Sequence, residues 1–230
     1  MCIGIRQKNY SLKVLVRNNI SILLIYLVFL LTAAFFLLNY GKIQIHLYLN
    51  QAVGNDLVNK FFYYITFLGD GLIAVILILF ILFYNVRLGI CTLLSFLVAA
   101  MTTNPIKYGL YDEVVRPWFV FKWIVHSQLN VVEVDDLHIH NSFPSGHATQ
   151  AFAIFLCLAF YAKSNVNKLL FMALALLTAF SRVYLSQHWL VDITIGSVIG
   201  SIVAFLFYWF LISKNKFPSL DVPLLKIRKS

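Results

Sequence analysis

Long runs of apolar residues, separated by short polar and charged segments, dominate the chain. The first run, 20–40, carries no charged residue and is rich in Leu, Phe and Ile. About 20 apolar residues span a bilayer as a helix, so each run predicts a transmembrane helix. The second run, 71–86, is short for a span and is expected to take in residues from 61–69. The other four runs lie at 88–106, 147–162, 169–184 and 191–212.

The stretch 42–70, between the first two runs, is mixed. Its first half alternates apolar with polar residues, which fits a short strand; the apolar positions are Ile43, Ile45, Leu47 and Leu49. In its second half the apolar residues recur at helical spacing: Phe61, Tyr64, Ile65 and Leu68. Helical periodicity favours an amphipathic helix lying at the outer membrane interface, with the strand as the alternative.

Composition agrees with a membrane protein. Hydrophobic residues make up 61% of the 230 positions and charged residues 12%, with a mean hydropathy of +0.84. A soluble domain has about 25% charged residues. The expected fold is therefore an all-α integral membrane bundle of six transmembrane helices. We expect a basic cytoplasmic arm at 1–19, the six-span domain at 20–213 and a basic cytoplasmic tail at 214–230.

The distribution of charge predicts the orientation. The net charge of +9 comes from cations in short clusters between apolar runs, which argues against a nucleic-acid partner. With six spans, both termini and most cations fall on one side, and nearly all acids fall on the other. The positive-inside rule then places the termini in the cytoplasm and the loop 107–143 on the outer face. The three cysteines show neither a disulfide framework nor a metal motif.

Polar residues at membrane depth are costly, so they are candidates for function. On the predicted topology, several of them share the outer ends of the third to sixth spans. This common depth predicts one site, with its active centre on the outer face. The candidate residues are Lys107, Arg116, Ser145, Gly146, His147, Arg182, His188 and Asp192.

The chemistry of these residues fits a phosphate group. Three cations match its charge, and arginine adds a planar pair of donors. Ser145 and Gly146 open a predicted helix, where free N–H groups and the helix dipole favour an anion. His188 and Asp192 are four residues apart, so a carboxylate can orient one ring nitrogen and leave the other free to attack. His147 adds a second proton-transfer group.

Each residue also has a plainer interpretation. Taken alone, His147 fits an interfacial histidine and Arg182 a cation reaching out from a helix end. Asp192 fits a helix cap, a role that is compatible with orienting His188. For the other histidines of the loop, a solvated position is favoured over substrate contact; these are His126, His138 and His140.

Three blocks of the sequence resemble the signature blocks of the type 2 phosphatidic acid phosphatase superfamily. They are Arg116-Pro117, Pro144-Ser-Gly-His147 and the segment Ser181–Asp192. The second and third blocks match in full, and the resemblance extends over about 65–210. The first block departs from the pattern, because eight residues separate Lys107 from Arg116 where the family usually has six. Lys122 is a weaker substitute for Lys107.

The resemblance implies a role for each candidate residue. His188 is similar to the nucleophile that forms a phosphohistidine, and Asp192 to its orienting partner. His147 resembles the general acid that protonates the leaving oxygen and then activates water. The remaining candidates resemble the phosphate cradle, and no cofactor or metal is implied; the cradle is Lys107, Arg116, Ser145, Gly146 and Arg182.

The expected function is that of a phosphatase acting on a lipid in the cytoplasmic membrane. The partners are then a lipid phosphate and the surrounding membrane lipids. Undecaprenyl diphosphate and lipid A phosphate are favoured, followed by phosphatidylglycerol phosphate and phosphatidic acid. Two alternatives remain open: a lipid phosphotransferase on the same scaffold, and a non-catalytic transporter of lipid phosphates.

Overall fold

A computed structural model of the chain describes residues 11–126, 129–132 and 138–227 and is helical throughout its regular parts. Residues 1–10 of the predicted arm and 228–230 of the predicted tail lie outside the described residues. The helices are α1 Leu12–Asn18, α2 Ile20–Asn39, α3 Lys42–Asn50, α4 Asp56–Ile65, α5 Gly71–Tyr84, α6 Val86–Pro105, α7 Pro117–Phe119, α8 Gly146–Tyr161, α9 Asn165–Tyr184, α10 Leu190–Phe207 and α11 Leu224–Ile227. Several helices continue into 3-10 or π-helical turns, namely Thr66–Gly69, Ile106–Leu110, Val120–Val125 and Tyr208–Ser213.

The long apolar helices confirm a multi-pass membrane protein. Four helices of the described chain are long and apolar enough to cross a bilayer: Ile20–Asn39, Val86–Leu110, Asn165–Tyr184 and Leu190–Ser213. A fifth span results if Asp56–Gly69 and Gly71–Tyr84, which meet at a bend of 65°, are taken together. This pairing agrees with the expectation that the short second run takes in preceding residues.

The predicted count of six spans is not confirmed, because α8 is short. Its 16 residues correspond to about 24 Å of helix, less than the roughly 30 Å of a hydrocarbon core. Most of α8 is buried, and it packs against α6, α9 and α10. Because protein surrounds α8 on these sides, it forms the centre of the bundle.

The strand alternative for 42–50 is wrong. This segment is the helix α3, which begins after Gly41, whose N–H donates to Gln44 Oε1 at 3.2 Å. The second half of the stretch is also helical, as expected. There α4 starts directly after its N-cap Asn55, whose side chain accepts hydrogen bonds from two backbone N–H groups of the first turn. The location of these helices at the outer interface stays a prediction.

Small residues bring α8 and α10 into close contact. A Cβ atom added to Gly200 would lie 2.3 Å from the carbonyl oxygen of Thr149, and one added to Gly196 would lie 2.6 Å from that of Ser145. Backbone therefore packs on backbone, as the glycine spacing in the sixth apolar run predicts. The contact fixes the start of α8 beside the first turns of α10.

The C-terminal segment packs against the turn between α5 and α6. Arg87 donates to Asp221 and to Asn215, each at 2.7 Å. The N–H of Val86 donates to the carbonyl of Val222 at 3.0 Å. The described part of the predicted tail is thus docked on the N-terminal end of α6, while Lys107 lies beyond the other end of that helix.

Replacement of Gly200 by alanine should destabilise the bundle. Overpacking of this kind costs about 1–3 kcal/mol, so we expect a lower midpoint of thermal unfolding in detergent. Gly109→Ala is the matched control, because a Cβ there meets no neighbour within 4 Å. Alanine favours a helix over glycine at both sites, so the difference between the variants isolates the clash. Equal midpoints for the two variants would contradict the described packing.

Candidate active site

One cavity brings the predicted site residues together. It has a volume of about 540 Å³ and lies where α6, α8 and α9 end or begin on the same side of the bundle. Ser145 and Asp192 are buried and do not line it. Ser145 precedes the lining residue Gly146 in the chain, and Asp192 lies 3.3 Å from Nδ1 of the lining residue His188. The predicted residues that line the cavity are Lys107, Arg116, Gly146, His147, Arg182 and His188.

The Pro-Ser-Gly-His turn begins α8 and faces the cavity. Ser145 is the N-cap, and its Oγ accepts from the N–H of Ala148 at 3.4 Å. The N–H of Ser145 donates to the backbone carbonyl of Asp192 at 3.1 Å, which ties the turn to the start of α10. Gly146 and His147 are the first two helical residues. The N–H groups of this turn and the dipole of α8 favour an anion in the cavity.

Close packing also fixes the position of His147. A Cβ atom added to Gly69 would lie 2.8 Å from the carbonyl oxygen and 2.9 Å from the Cβ of His147. Real Cβ atoms do not approach other atoms this closely, so the glycine leaves the space that His147 occupies. Gly69 belongs to the 3-10 turn that follows α4, and this turn forms one wall of the cavity.

Asp192 both caps α10 and faces His188. Its Oδ2 accepts from the N–H of Trp189 at 2.9 Å and lies 3.3 Å from Nδ1 of His188. The hydroxyl of Ser142 donates to the same oxygen at 2.5 Å. A carboxylate only accepts, so Nδ1 of His188 carries the proton in this contact and Nε2 is the unprotonated nitrogen. The two roles considered for Asp192 are therefore geometrically compatible.

The surroundings of His188 favour its neutral form. Burial, assisted by the nearby positive charges of Arg116, Arg182 and Lys107, holds the pKa of His188 well below its usual range. A ring that is neutral near pH 7 has a lone pair on Nε2. This is the form of histidine that can attack an electrophile such as a phosphorus atom.

Neutral oxygens hold the two arginines. Arg182 donates from Nη1 to Oγ1 of Thr66 at 2.9 Å. Arg116 donates from Nε to the carbonyl of His140 and from Nη1 to Oε1 of Gln187, each at 3.1 Å. These hydrogen bonds orient the two guanidinium groups at the cavity, whose lining includes both arginines.

Among the residues that the structure describes, acidic side chains contribute little to the lining of the cavity. Asp70 is the acid among the described lining residues, and its carboxylate caps α5 by accepting from the N–H of Leu72 at 2.8 Å. Within the described ranges, no group of three or more His, Cys, Asp and Glu residues is arranged to hold a metal ion. Among the described lining residues, the cations Lys107, Arg116 and Arg182 therefore outnumber the single acid Asp70.

Lys107 reaches the cavity despite its unusual spacing to Arg116. It lies in the π-helical turn Ile106–Leu110, is 8% exposed, and its Nζ would be 3.9 Å from a Cβ atom built on Gly146. A π-helical turn accommodates extra residues without ending the helix. Lys122 does not line the cavity; its Nζ lies over the ring of Trp123, 5.2 Å from the centroid.

Several residues of the site carry no sequence signal. Thr66, Ser142 and Gln187 are buried and contact the arginines or Asp192, yet nothing in their type or spacing marks them. For His138 and His140 the favoured interpretation was incomplete, because both are exposed but also line the cavity. His126 is exposed and does not line it, in agreement with a solvated position.

Comparison with known proteins identifies the family of the chain. The sequence model of the PAP2 superfamily matches residues 88–216, which confirms the family resemblance. A comparison with curated proteins gives no match. Among solved structures, LpxE from Aquifex aeolicus is similar with a TM-score of 0.63 and 21% identity, covering 74% of this chain and 96% of that chain.

A second solved structure has the same fold. It is the first transmembrane PAP2 type phosphatidylglycerolphosphate phosphatase from Bacillus subtilis, similar with a TM-score of 0.58 and 23% identity. The alignment covers 84% of this chain and 95% of that chain. The two likenesses confirm the all-helical membrane fold.

Replacement of Lys107 by methionine should weaken anion binding. The variant keeps the apolar stem and removes the charge, and a hydrogen bond to a charged group is worth about 1.5–3 kcal/mol. We therefore expect the affinity for inorganic phosphate, measured by calorimetry on protein in detergent, to fall by about ten- to a hundredfold. Lys122→Met removes a cation outside the cavity and should bind phosphate as the unaltered protein does. Equal affinities of the two variants would remove Lys107 from the cradle.

Proposed function

Since the chain belongs to the PAP2 superfamily, and this membership supports a lipid phosphate hydrolase, we propose that it removes phosphate from a membrane lipid through a phosphohistidine intermediate. The observation that carries the proposal is the surroundings of His188. Its Nδ1 faces the buried carboxylate of Asp192, and its ring lines the same cavity as three cations and the N-terminus of α8. A nucleophile, its orienting group and an anion cradle are thus assembled in one place.

In the first step, Nε2 of His188 attacks the phosphorus atom of the bound lipid phosphate. The P–O bond to the lipid breaks, and His147 protonates the leaving oxygen. Asp192 stabilises the positive charge that develops on the ring of His188. The cradle of Lys107, Arg116, Ser145, Gly146 and Arg182 binds the phosphoryl oxygens and offsets the charge of the transition state.

In the second step, water replaces the histidine. His147, now neutral, accepts a proton from water, whose oxygen attacks the phosphorus atom. The P–N bond breaks, inorganic phosphate leaves, and Nε2 of His188 regains its lone pair. The side-chain cations supply the charge stabilisation in this scheme, and no residue changes its redox state.

We favour undecaprenyl diphosphate or a lipid A phosphate as the substrate. The fold likeness to LpxE, a lipid A phosphatase, supports the second of these, and the likeness to the Bacillus subtilis enzyme adds phosphatidylglycerol phosphate as a candidate. The cavity is polar at its lining and large enough for a phosphorylated headgroup, while the apolar helix surfaces around the bundle suit the lipid tails.

The proposed location is the cytoplasmic membrane, with the active site on its outer face. Arg87 and the docked tail lie at the N-terminal end of α6, and the cavity lies at the C-terminal end. The positive-inside rule assigns the basic end to the cytoplasm. Residues 1–19 and 214–230 would then be cytoplasmic, and 20–213 would form the catalytic domain.

A substrate panel tests the proposed activity. Protein purified in detergent is given undecaprenyl diphosphate, lipid A, phosphatidylglycerol phosphate and phosphatidic acid, each labelled in the phosphate, with and without EDTA. We expect inorganic phosphate to be released from at least one lipid, with EDTA leaving the rate unchanged. Release from none of them would overturn the hydrolase proposal. Transfer of the label to an added acceptor lipid instead of water would identify a phosphotransferase.

Replacement of His188 by alanine should abolish turnover. Loss of a catalytic nucleophile costs a factor of about 10⁴ or more in kcat, while the buried site is expected to tolerate the smaller side chain well enough for the protein to insert and fold. His126→Ala is the control, because this histidine is exposed and lies outside the cavity lining. Phosphate release and gel-filtration behaviour are compared for the two variants. Substantial activity in His188→Ala would rule out the phosphohistidine at this position.

A further inference from the structure

His46 is a buried polar residue outside every signature block. It lies in α3, before the residues 88–216 that the family model matches, and is 2% exposed. Its Nε2 lies 3.0 Å from Oγ of Ser186. The ring stacks on Phe121 at a centroid distance of 5.4 Å and meets the edge of Trp189 at 5.5 Å. Nδ1 of the ring has no hydrogen-bond partner among the described residues, so the contact with Ser186 is the one that offsets the burial of this polar ring.

The partner of His46 occupies an unusual backbone conformation. Ser186 has a φ of 55°, in the left-handed region that few residues other than glycine adopt. Holding a non-glycine residue there costs about 1–3 kcal/mol, so surrounding contacts must stabilise it. Ser186 precedes the proposed nucleophile by two positions, and its backbone conformation sets the direction in which the chain reaches His188.

Backbone hydrogen bonds fix the rest of this turn. The N–H groups of Gln187 and His188 both donate to the carbonyl of Arg182, at 2.9 and 3.0 Å. The carbonyl of Ser186 accepts from the N–H of Trp118 at 3.1 Å. The side chain of Ser186 is a further point at which a neighbour holds the turn, and His46 is that neighbour.

The protonation state of His46 suits a lasting contact. Burial lowers the pKa of His46 to about 4, so the ring is neutral near pH 7. A neutral imidazole has one donor and one acceptor nitrogen, and a hydroxyl can serve either. The contact between Nε2 and Ser186 is thus satisfied in both tautomers.

We propose that His46 is a positioning residue for the nucleophile: its hydrogen bond to Ser186 and its packing on Phe121 and Trp189 hold the turn that presents His188 to the substrate phosphate. The inference rests on the proposed function, in which His188 attacks phosphorus. It gives α3 a role in the reaction, although this helix contributes no residue to the lining of the cavity.

The central variant is His46→Phe. Phenylalanine keeps an aromatic ring between Phe121 and Trp189 and removes the hydrogen bond to Ser186. Displacement of a reacting group by about 1 Å can cost a hundredfold in rate, so we expect kcat to fall by about ten- to a hundredfold. The KM should change by less than about threefold, because the cradle that binds the phosphate is untouched.

Companion variants separate positioning from simple packing. His46→Gln places an amide near the position of Nε2 and should restore much of kcat. Ser186→Ala removes the other partner, and the double variant His46→Phe/Ser186→Ala should be no slower than the slower single variant. Tyr48→Phe is the control on the same helix, because Tyr48 is 66% exposed whereas His46 is 2% exposed. It should leave kcat unchanged.

A binding measurement gives a second readout that needs no turnover. Orthovanadate mimics the phosphorylated intermediate by bonding to Nε2 of His188, whereas inorganic phosphate is held by the cradle alone. His46→Phe should lower the affinity for vanadate about tenfold or more and leave that for phosphate within about twofold. Both affinities are measured by calorimetry in detergent, together with the thermal midpoint.

The outcomes distinguish the two proposals. Unchanged kcat and an unchanged ratio of vanadate to phosphate affinity in His46→Phe would overturn the positioning role. A loss that follows a lower thermal midpoint, equally in His46→Phe and His46→Gln, would also overturn it, since it indicates packing alone. If the unaltered protein hydrolyses no lipid phosphate but the vanadate ratio still shifts as expected, the proposed function fails and the positioning of His188 by His46 stands.

Discussion

The arrangement of the site depends on the contacts that the buried carboxylate of Asp192 makes. A single oxygen, Oδ2, accepts from the hydroxyl of Ser142 and the N–H of Trp189 and faces Nδ1 of His188. The backbone carbonyl of the same residue accepts from Ser145, at the start of α8. A buried carboxylate is unfavourable unless it is hydrogen-bonded, so these donors are held near one another. The loop before α8, the turn after α9 and the start of α10 are thereby joined at one residue, Asp192.

This junction explains how catalytic and structural requirements coincide. The donor from Trp189 makes Asp192 a cap of α10, a feature that stabilises a helix in any protein. The same position places the carboxylate against His188, where it selects the ring tautomer with a free Nε2. The close contact of α8 and α10 at Gly196 and Gly200 then sets the distance from this histidine to the Pro-Ser-Gly-His turn. Packing in the bundle centre therefore determines the geometry of the site.

The fold was largely predictable, because hydrophobic length and motif spacing carry most of its information. Apolar runs predict the spanning helices, and the His188–Asp192 spacing predicts the facing pair. The sequence does not show that α8 packs against α6, α9 and α10, and with 16 residues in this helix the count of six spans stays a prediction. The alternation of apolar and polar residues over 43–49 is too short to distinguish a strand from the helix that the structure shows there. The spacing between Lys107 and Arg116 does not predict the π-helical turn Ile106–Leu110. This turn contains Lys107, which lines the cavity.

Three of the parts of the site that escaped the sequence share a location, while Ser142 and Gln187 lie elsewhere in the chain. Thr66 holds Arg182, Gly69 leaves room for His147, and His46 contacts the turn before His188. All three belong to the stretch 42–70, outside the residues that the family model matches. They are neutral or small and act by contact, so neither charge nor spacing marks them. The motif residues supply the chemistry, and the stretch 42–70 supplies contacts that position them. Substitutions in this stretch can therefore change the positions of the nucleophile and the cradle while every signature block stays intact.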